Sequence, residues 1–306
     1  MPESPENFRA GFISVVGKPN TGKSTLINAL LHQKIASVSP RPQTTRRRQL
    51  GILTSEAYQI VLVDTPGIHK PHHKLGDYMN QEALASMPDA DVILWVVDAS
   101  QVPDDEDGKV ALSIHELQPR PFVLLILNKI DLAASNLEPN AAAYLNLLPD
   151  AVPMRISAIT GKGMDALLAK TAELLPAGPP YYDEEQVTDL YERDITVDLI
   201  REAVLNQLTD EVPHAVAVRL DEYNDQGEDR ASITATLFVE RDSQKGIVIG
   251  KGGEMLKKIG SSARLEIERL TGRKVYLELH VKVKKNWRDD PNALKTMGFI
   301  AARGDK

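Results

Sequence analysis

The sequence predicts an α/β fold with a mostly parallel sheet, followed by a smaller α+β domain. Three observations carry this. Short apolar runs alternate with helix-like stretches through the first 175 residues, as in a sheet covered on both faces. A proline- and acid-rich stretch then interrupts the pattern. Beyond it, apolar and polar residues alternate in the way of half-buried strands.

The strands of the first part read F-I-S-V-V at 12–16, Y-Q-I-V-L-V at 58–63, V-I-L-W-V-V at 92–97, F-V-L-L-I-L at 122–127 and V-P-M-R-I at 152–156. Each is followed by a polar turn, and ligands on such sheets bind at the carboxyl ends of the strands. After the first strand, S-T-L-I-N-A-L-L from Ser24 continues as a helix. The stretch P-A-G-P-P-Y-Y-D-E-E-Q from Pro176 cannot extend a helix or a central strand. The expected domains are therefore 1–178 and 187–306, with 179–186 as linker. The second domain shows a helical pattern near 187–208, strands at 214–223 and 231–240, a glycine-rich turn at 250–253 between two helices, and a helix reaching about 271. It closes with V-Y-L-E-L-H-V-K-V at 275–283, where Val275, Leu277, Leu279, Val281 and Val283 form the apolar face.

A chain of 306 residues with 42% hydrophobic content can bury at least one full core, and its length favours two domains. It has no cysteine, which excludes disulfides, thiolate metal sites and a thiol nucleophile. No apolar run approaches the roughly 20 residues that cross a bilayer. The start, M-P-E-S-P-E-N-F-R, lacks a charged-then-apolar signal pattern, so a cytoplasmic protein is expected. The net charge of −7 conceals an uneven distribution. Residues 240–306 hold 16 Lys or Arg against 9 Asp or Glu, a basic tract on an otherwise acidic chain. Charge alone fits a solvated face as well as a polyanion site.

Residues 17–24, G-K-P-N-T-G-K-S, fit the phosphate-loop pattern GxxxxGK[ST]. Backbone N–H groups along Gly17, Lys18, Pro19, Asn20, Thr21 and Gly22, apart from the proline's, would turn toward phosphate oxygens, with Thr25 in the first helical turn behind them. Lys23 would pair the β and γ phosphates, and Ser24 would place a hydroxyl on Mg²⁺. Asp64 opens D-T-P-G at a strand end, where a carboxylate can hold Mg²⁺ through water; Thr65 and Pro66 lead to Gly67, whose N–H can approach the γ-phosphate. N-K-I-D also begins at a strand end. Asp131 can accept from guanine N1–H and its 2-amino group, donors that adenine lacks. Asn128 would tie this loop to the phosphate loop, the Lys129 stem would cover the base plane, and Ser157 and Ala158 would present N–H groups to the guanine carbonyl. Thr44 or Thr45, in a loop before the second of these strands, would bring a further hydroxyl to Mg²⁺.

In the second domain, Ile249, Gly250, Lys251, Gly252 and Gly253 form a GxxG loop between helices, with Lys257, Lys258 and Lys284 nearby. Such a loop lets backbone approach a phosphate chain, and single-stranded RNA fits it. Trp287 is expected to pack between tail and domain rather than stack on a base. The competing reading docks a protein or the inner face of the cell membrane on the same lysines, so peripheral membrane association stands as a second partner.

The set G-K-P-N-T-G-K-S, Q-T-T-R, D-T-P-G, N-K-I-D and S-A resembles the translation-factor-related GTPases of the Era type. V-I-G-K-G-G followed by V-K-K-N-W-R-D-D is similar to that family's KH-containing tail, so the resemblance spans nearly the whole chain. It implies a P-loop GTPase domain and a KH domain, GTP or GDP with Mg²⁺, and slow hydrolysis. It also implies binding of 16S ribosomal RNA near its 3′ end during assembly of the 30S subunit. Comparison with relatives that share the x-T-R pattern favours Thr45 over Thr44. The resemblance further matches Asn20 to the loop asparagine with which some relatives hold K⁺. Lys23, Asn20, Thr45 and Gly67 are thus the residues expected to act on the γ-phosphate. After Gly67 stands Ile68, whose side chain cannot orient water as a glutamine does.

Overall fold

The computed structural model describes residues 8–39, 41, 44–227 and 229–299. Most of the opening stretch read for a targeting signal, Pro42 and Gln43 of the threonine loop, and the last residues of the tail lie outside these. The chain divides into two compact units, one within Met1–Ala36, Thr45–Lys70 and Met79–Asp189, the other within Ser37–Thr44, Pro71–Tyr78 and Leu190–Lys306.

The first unit follows the order β1 (Arg9–Val16), α1 (Lys23–Leu31), β2 (Gln49–Thr54), β3 (Tyr58–Asp64), α2 (Lys74–Ala85, whose first turns belong to the second unit), β4 (Val92–Asp98), α3 (Asp105–His115), β5 (Phe122–Asn128), α4 (Ile130–Ala133), α5 (Leu137–Leu147), β6 (Val152–Arg155) and α6 (Met164–Leu174). Its sheet runs β2-β3-β1-β4-β5-β6. All neighbours are parallel except β2, which pairs antiparallel with β3. The runs of β3, β4 and β5 are nearly continuous because both sheet faces are covered there. Along β4, Ile93, Trp95 and Val97 join Val110 and Tyr144 in one core, while Val92, Leu94 and Val96 join Leu26 and Ile27 in another. Trp95 meets Tyr144 edge-on at 6.0 Å between ring centroids. The register sets Val15 beside Asp64 and Asp98 beside Asn128, so the functional strand ends gather on one edge of the sheet.

Strand β2 is a departure from the sequence reading, which places only a loop there. Its short run Leu50-Gly51-Ile52 is interrupted by glycine, so no pattern marks it. The predicted helix start at 187 is also displaced. Ile52 N–H donates to the Val187 carbonyl at 2.7 Å, and Leu50 N–H to the Asp189 carboxylate at 2.9 Å. Residues 187–189 are thus engaged by the β2 edge, and the helix begins only at Glu192.

The second unit contains α7 (Glu192–Gln207), β7 (Ala217–Asp225), β8 (Arg230–Val239), α8 (Asp242–Ile249), α9 (Glu254–Thr271), β9 (Lys274–Val283) and α10 (Pro291–Thr296). In the sheet β7-β8-β9 the first pair is antiparallel and the second parallel. A parallel return requires a crossover, and the helix–loop–helix of α8 and α9 supplies it. Ile259, Ala263 and Ile267, four residues apart on α9, pack with Ile195 and Leu199 of α7 and with Val218, Ile233 and Val275 of the sheet. Trp287 is fully buried, donates Nε1–H to the Ala215 carbonyl at 2.9 Å and stacks on Phe299, which matches its expected packing role. Among the described residues no helix is long and apolar enough to cross a membrane.

Candidate nucleotide site and nucleic-acid groove

The loop from Gly17 to Gly22 joins the carboxyl end of β1 to the first turn of α1, so the helix N-terminus opens on the loop's concavity. Lys23 begins α1 and is 6% exposed; its Nζ donates to the carbonyls of Gly17 at 3.0 Å and Lys18 at 2.9 Å. Burial lowers its pKa to about 8, with the charge of Asp64 acting in the opposite direction. The Thr21 hydroxyl also donates to the Lys18 carbonyl, at 3.1 Å.

The Lys18 side chain turns away from the loop's concavity to α3. Its ammonium donates to Asp104 at 2.8 Å and Asp107 at 2.7 Å. These are the N-cap and third residues of α3, bound to each other in a capping box. Burial works against the Lys18 charge, but the two carboxylates outweigh it and raise its pKa. Lys18 therefore anchors the phosphate loop through its side chain and faces the cradle only with its backbone.

Three segments meet at Asp64. Its buried Oδ2 accepts from Ser24 Oγ at 3.2 Å, Thr45 Oγ1 at 3.0 Å and Gln49 Nε2 at 3.1 Å, and the Ser24 and Thr45 hydroxyls lie 2.9 Å apart. Thr44 instead donates to the Arg41 carbonyl at 3.0 Å, so Thr45 is the threonine that joins this cluster. Burial is the main influence on Asp64 and raises its pKa to about 6, against the charge of Lys23 and the three donors. Its Oδ1 is buried with no partner. Just beyond, the Thr65 hydroxyl donates to the Val15 carbonyl at 2.7 Å, which ties β3 to β1 and occupies a side chain expected at the nucleotide. A β-carbon on Gly67 would lie 2.6 Å from the Pro19 nitrogen, so only glycine lets this turn rest on the phosphate loop. Ile68 is buried in the Trp95 core.

At the end of β5, Asn128 Nδ2 donates to the Thr21 carbonyl at 2.9 Å and its Oδ1 accepts from Ala158 N–H at 3.1 Å. One side chain thus joins the phosphate loop, the N-K-I-D turn and the S-A turn. The Ala158 N–H, expected at the guanine carbonyl, is engaged by Asn128 here, and Ser157 N–H donates to the Lys162 carbonyl at 2.9 Å. Lys129 donates to the Asn20 carbonyl and to Asp98, both at 2.7 Å. Asp131 is exposed at the start of α4. Asp98 is a residue the sequence reading passed over, although it ends β4 as Asp64 ends β3. Burial opposes its charge, but Lys129 and Ser100 hold its pKa below the ordinary carboxylate value.

In the second unit, Gly250, Gly252 and Gly253 have φ of 74°, 62° and 83°, a left-handed path that turns the chain between α8 and α9. Lys251, Lys257 and Lys258 are exposed. Gly253 and Lys257 line a groove of about 400 Å³ between α9 and β9, together with Arg264, Tyr276, Glu278 and Leu279. Lys257 also lines a second depression, with Lys258, Gln207 and Glu254, and Lys284 follows β9, 3.7 Å from Asp290.

Known proteins combine the same two units. Residues 12–129 match a family model described as a 50S ribosome-binding GTPase, and residues 211–288 one described as a KH domain. The GTPase Era of Geotalea uraniireducens is 45% identical over 96% of this chain and 99% of its own length. That of Lactobacillus helveticus is 44% identical over 96% and 97%. A crystal structure of Era with MgGDPNP and nucleotides 1506–1542 of 16S ribosomal RNA is 35% identical, with a TM-score of 0.91 over 96% of this chain and all of that one. A variant of Aquifex aeolicus Era bound to GDP and AlF4⁻ gives 36% and the same score. Identity that continues from the phosphate loop through the GxxG loop at this level places the chain in the Era family of GTPases.

Proposed function

We propose that this chain binds and hydrolyses GTP at the β1–α1 loop and binds 16S ribosomal RNA near its 3′ end through the GxxG loop, in maturation of the 30S subunit. The observation that carries the first half is the meeting of Ser24, Thr45 and Asp64 within 3.2 Å, beside the buried amine of Lys23. Three residues distant in sequence have no packing reason to pool their polar groups around a buried carboxylate. They do have a chemical one, because hard oxygen donors suit Mg²⁺ shared with a triphosphate. The unpartnered buried Oδ1 of Asp64 fits that ion's water shell. Among the described residues no cluster of three His, Cys, Asp or Glu could hold a metal, so the set needs the substrate's phosphates to complete it. When bound, Mg²⁺ would offset charge on the β and γ oxygens.

Within this reading, Lys23 pairs the β and γ phosphates and Asp131 accepts from the guanine edge. Asn128 holds the three turns together, and Lys129 lies over the base. Gly67 offers its N–H to the γ-phosphate. With Ile68 buried in the core, hydrolysis depends on charge supplied from elsewhere, and Asn20 is the residue we assign to hold K⁺ beside the phosphates.

The RNA half rests on the relative solved with 16S RNA, which aligns with this chain through both units, and on the groove beside Gly253 and Lys257. The family model named for the 50S subunit covers only residues 12–129, so it carries no weight against a small-subunit RNA target. We place the protein in the cytoplasm, with membrane association confined to the surface. The test is GTP turnover in KCl and in NaCl, each with and without a short single-stranded RNA from the small-subunit 3′ end, alongside RNA and anionic-vesicle binding. K⁺ and RNA should each raise turnover severalfold. Equal rates in KCl and NaCl would refute the role of Asn20, and capture by vesicles but not RNA would refute the RNA reading.

A further inference from the structure

We infer that Gln49 is a positioning residue for the metal-binding carboxylate of Asp64, an inference that rests on the metal reading above. Gln49 opens β2 directly opposite Asp64 in the antiparallel register, so its place is set by backbone pairing rather than by a mobile loop. It is 4% exposed, and its Nε2 donates to Asp64 Oδ2 at 3.1 Å. A carboxamide has no reason to occupy such a position unless its N–H is used, since burying it unpaired costs more than an apolar side chain would.

The three donors on Oδ2 differ in what they can do when Mg²⁺ and nucleotide arrive. The hydroxyls of Ser24 and Thr45 carry lone pairs with which they would hold the ion, so their orientation would be shared between ion and carboxylate. An amide N–H cannot ligate a cation. Gln49 would then be the donor on Oδ2 whose place is set by the strand alone, and it holds the carboxylate in position beside the two hydroxyls. Without it the carboxylate would keep only the two side-chain donors that the ion would also engage.

The test replaces Gln49 with methionine, of similar length and volume but with no donor, in the full-length chain. A fluorescent GDP analogue is released across a Mg²⁺ titration, and its affinity is also measured in EDTA. Loss of a partner of a metal-binding carboxylate should raise the Mg²⁺ concentration for half-maximal retention about tenfold. Affinity in EDTA should stay at the wild-type value, because Lys23 and the loop amides are untouched. An unchanged half-maximal Mg²⁺, or a parallel loss of affinity in EDTA that marks a merely structural role, would overturn the inference. Ser24→Ala separates it from its foundation. If that variant leaves the Mg²⁺ dependence intact, the metal reading itself fails; if it shifts the dependence and Gln49→Met does not, only the role of Gln49 fails.

Discussion

In the proposed function Asp131 carries the choice of base, with very little structure around it. It is exposed on a four-residue helix, and the turn that presents it is held by Asn128 and Lys129 rather than by its own contacts. A carboxylate accepts both the N1–H and the 2-amino group of guanine, whereas an asparagine there keeps one acceptor and adds a donor. Asp131→Asn should therefore lower GTP affinity about a hundredfold or more and favour xanthine, whose C2 carbonyl takes the new donor. Competition of GTP and XTP for a labelled nucleotide checks this, and an unchanged preference for GTP would remove Asp131 from the site. The neighbouring residues show what a motif does and does not specify. Lys18 and Lys129 both belong to recognised patterns, yet each ammonium is claimed by carboxylates outside them, Lys18 by Asp104 and Asp107 and Lys129 by Asp98.

At the scale of elements, the GxxG turn works because it stops one helix and starts the next in four residues. Gly252 has nothing within 4 Å of a β-carbon placed on it, and its φ of 62° is one that aspartate tolerates. Gly252→Asp should thus fold normally while setting a negative charge where we propose that the RNA backbone passes. RNA retention on filters should fall at least tenfold with GTP affinity unaltered, and intact RNA binding would displace the site from this loop. Elements themselves were legible wherever burial was two-sided or strictly alternating, as in the runs at 92–97 and 275–283. Strand β2 was not, because its pairing partner and the chain at Val187 and Asp189 define it. A short edge strand has little pattern of its own.

For the molecule as a whole, a net charge of −7 should repel RNA, and the local excess in residues 240–306 must overcome it. Neutralising about four phosphates of a single strand predicts a slope near −3 for log affinity against log salt. A slope near zero over 50–200 mM KCl would mean the basic tract is only a solvated face. The sequence alone determined the two-domain plan and marked the phosphate-loop pattern, the N-K-I-D turn and the GxxG loop, because each motif is a contiguous run whose backbone conformation is local. Only the tertiary structure decided that Thr45 rather than Thr44 meets Asp64, that Lys18 turns to α3, and that Gln49 and Asp98 stand behind the motif residues. Those assignments depend on which side chains strand register and burial bring together across tens of residues, and no local pattern encodes that distance.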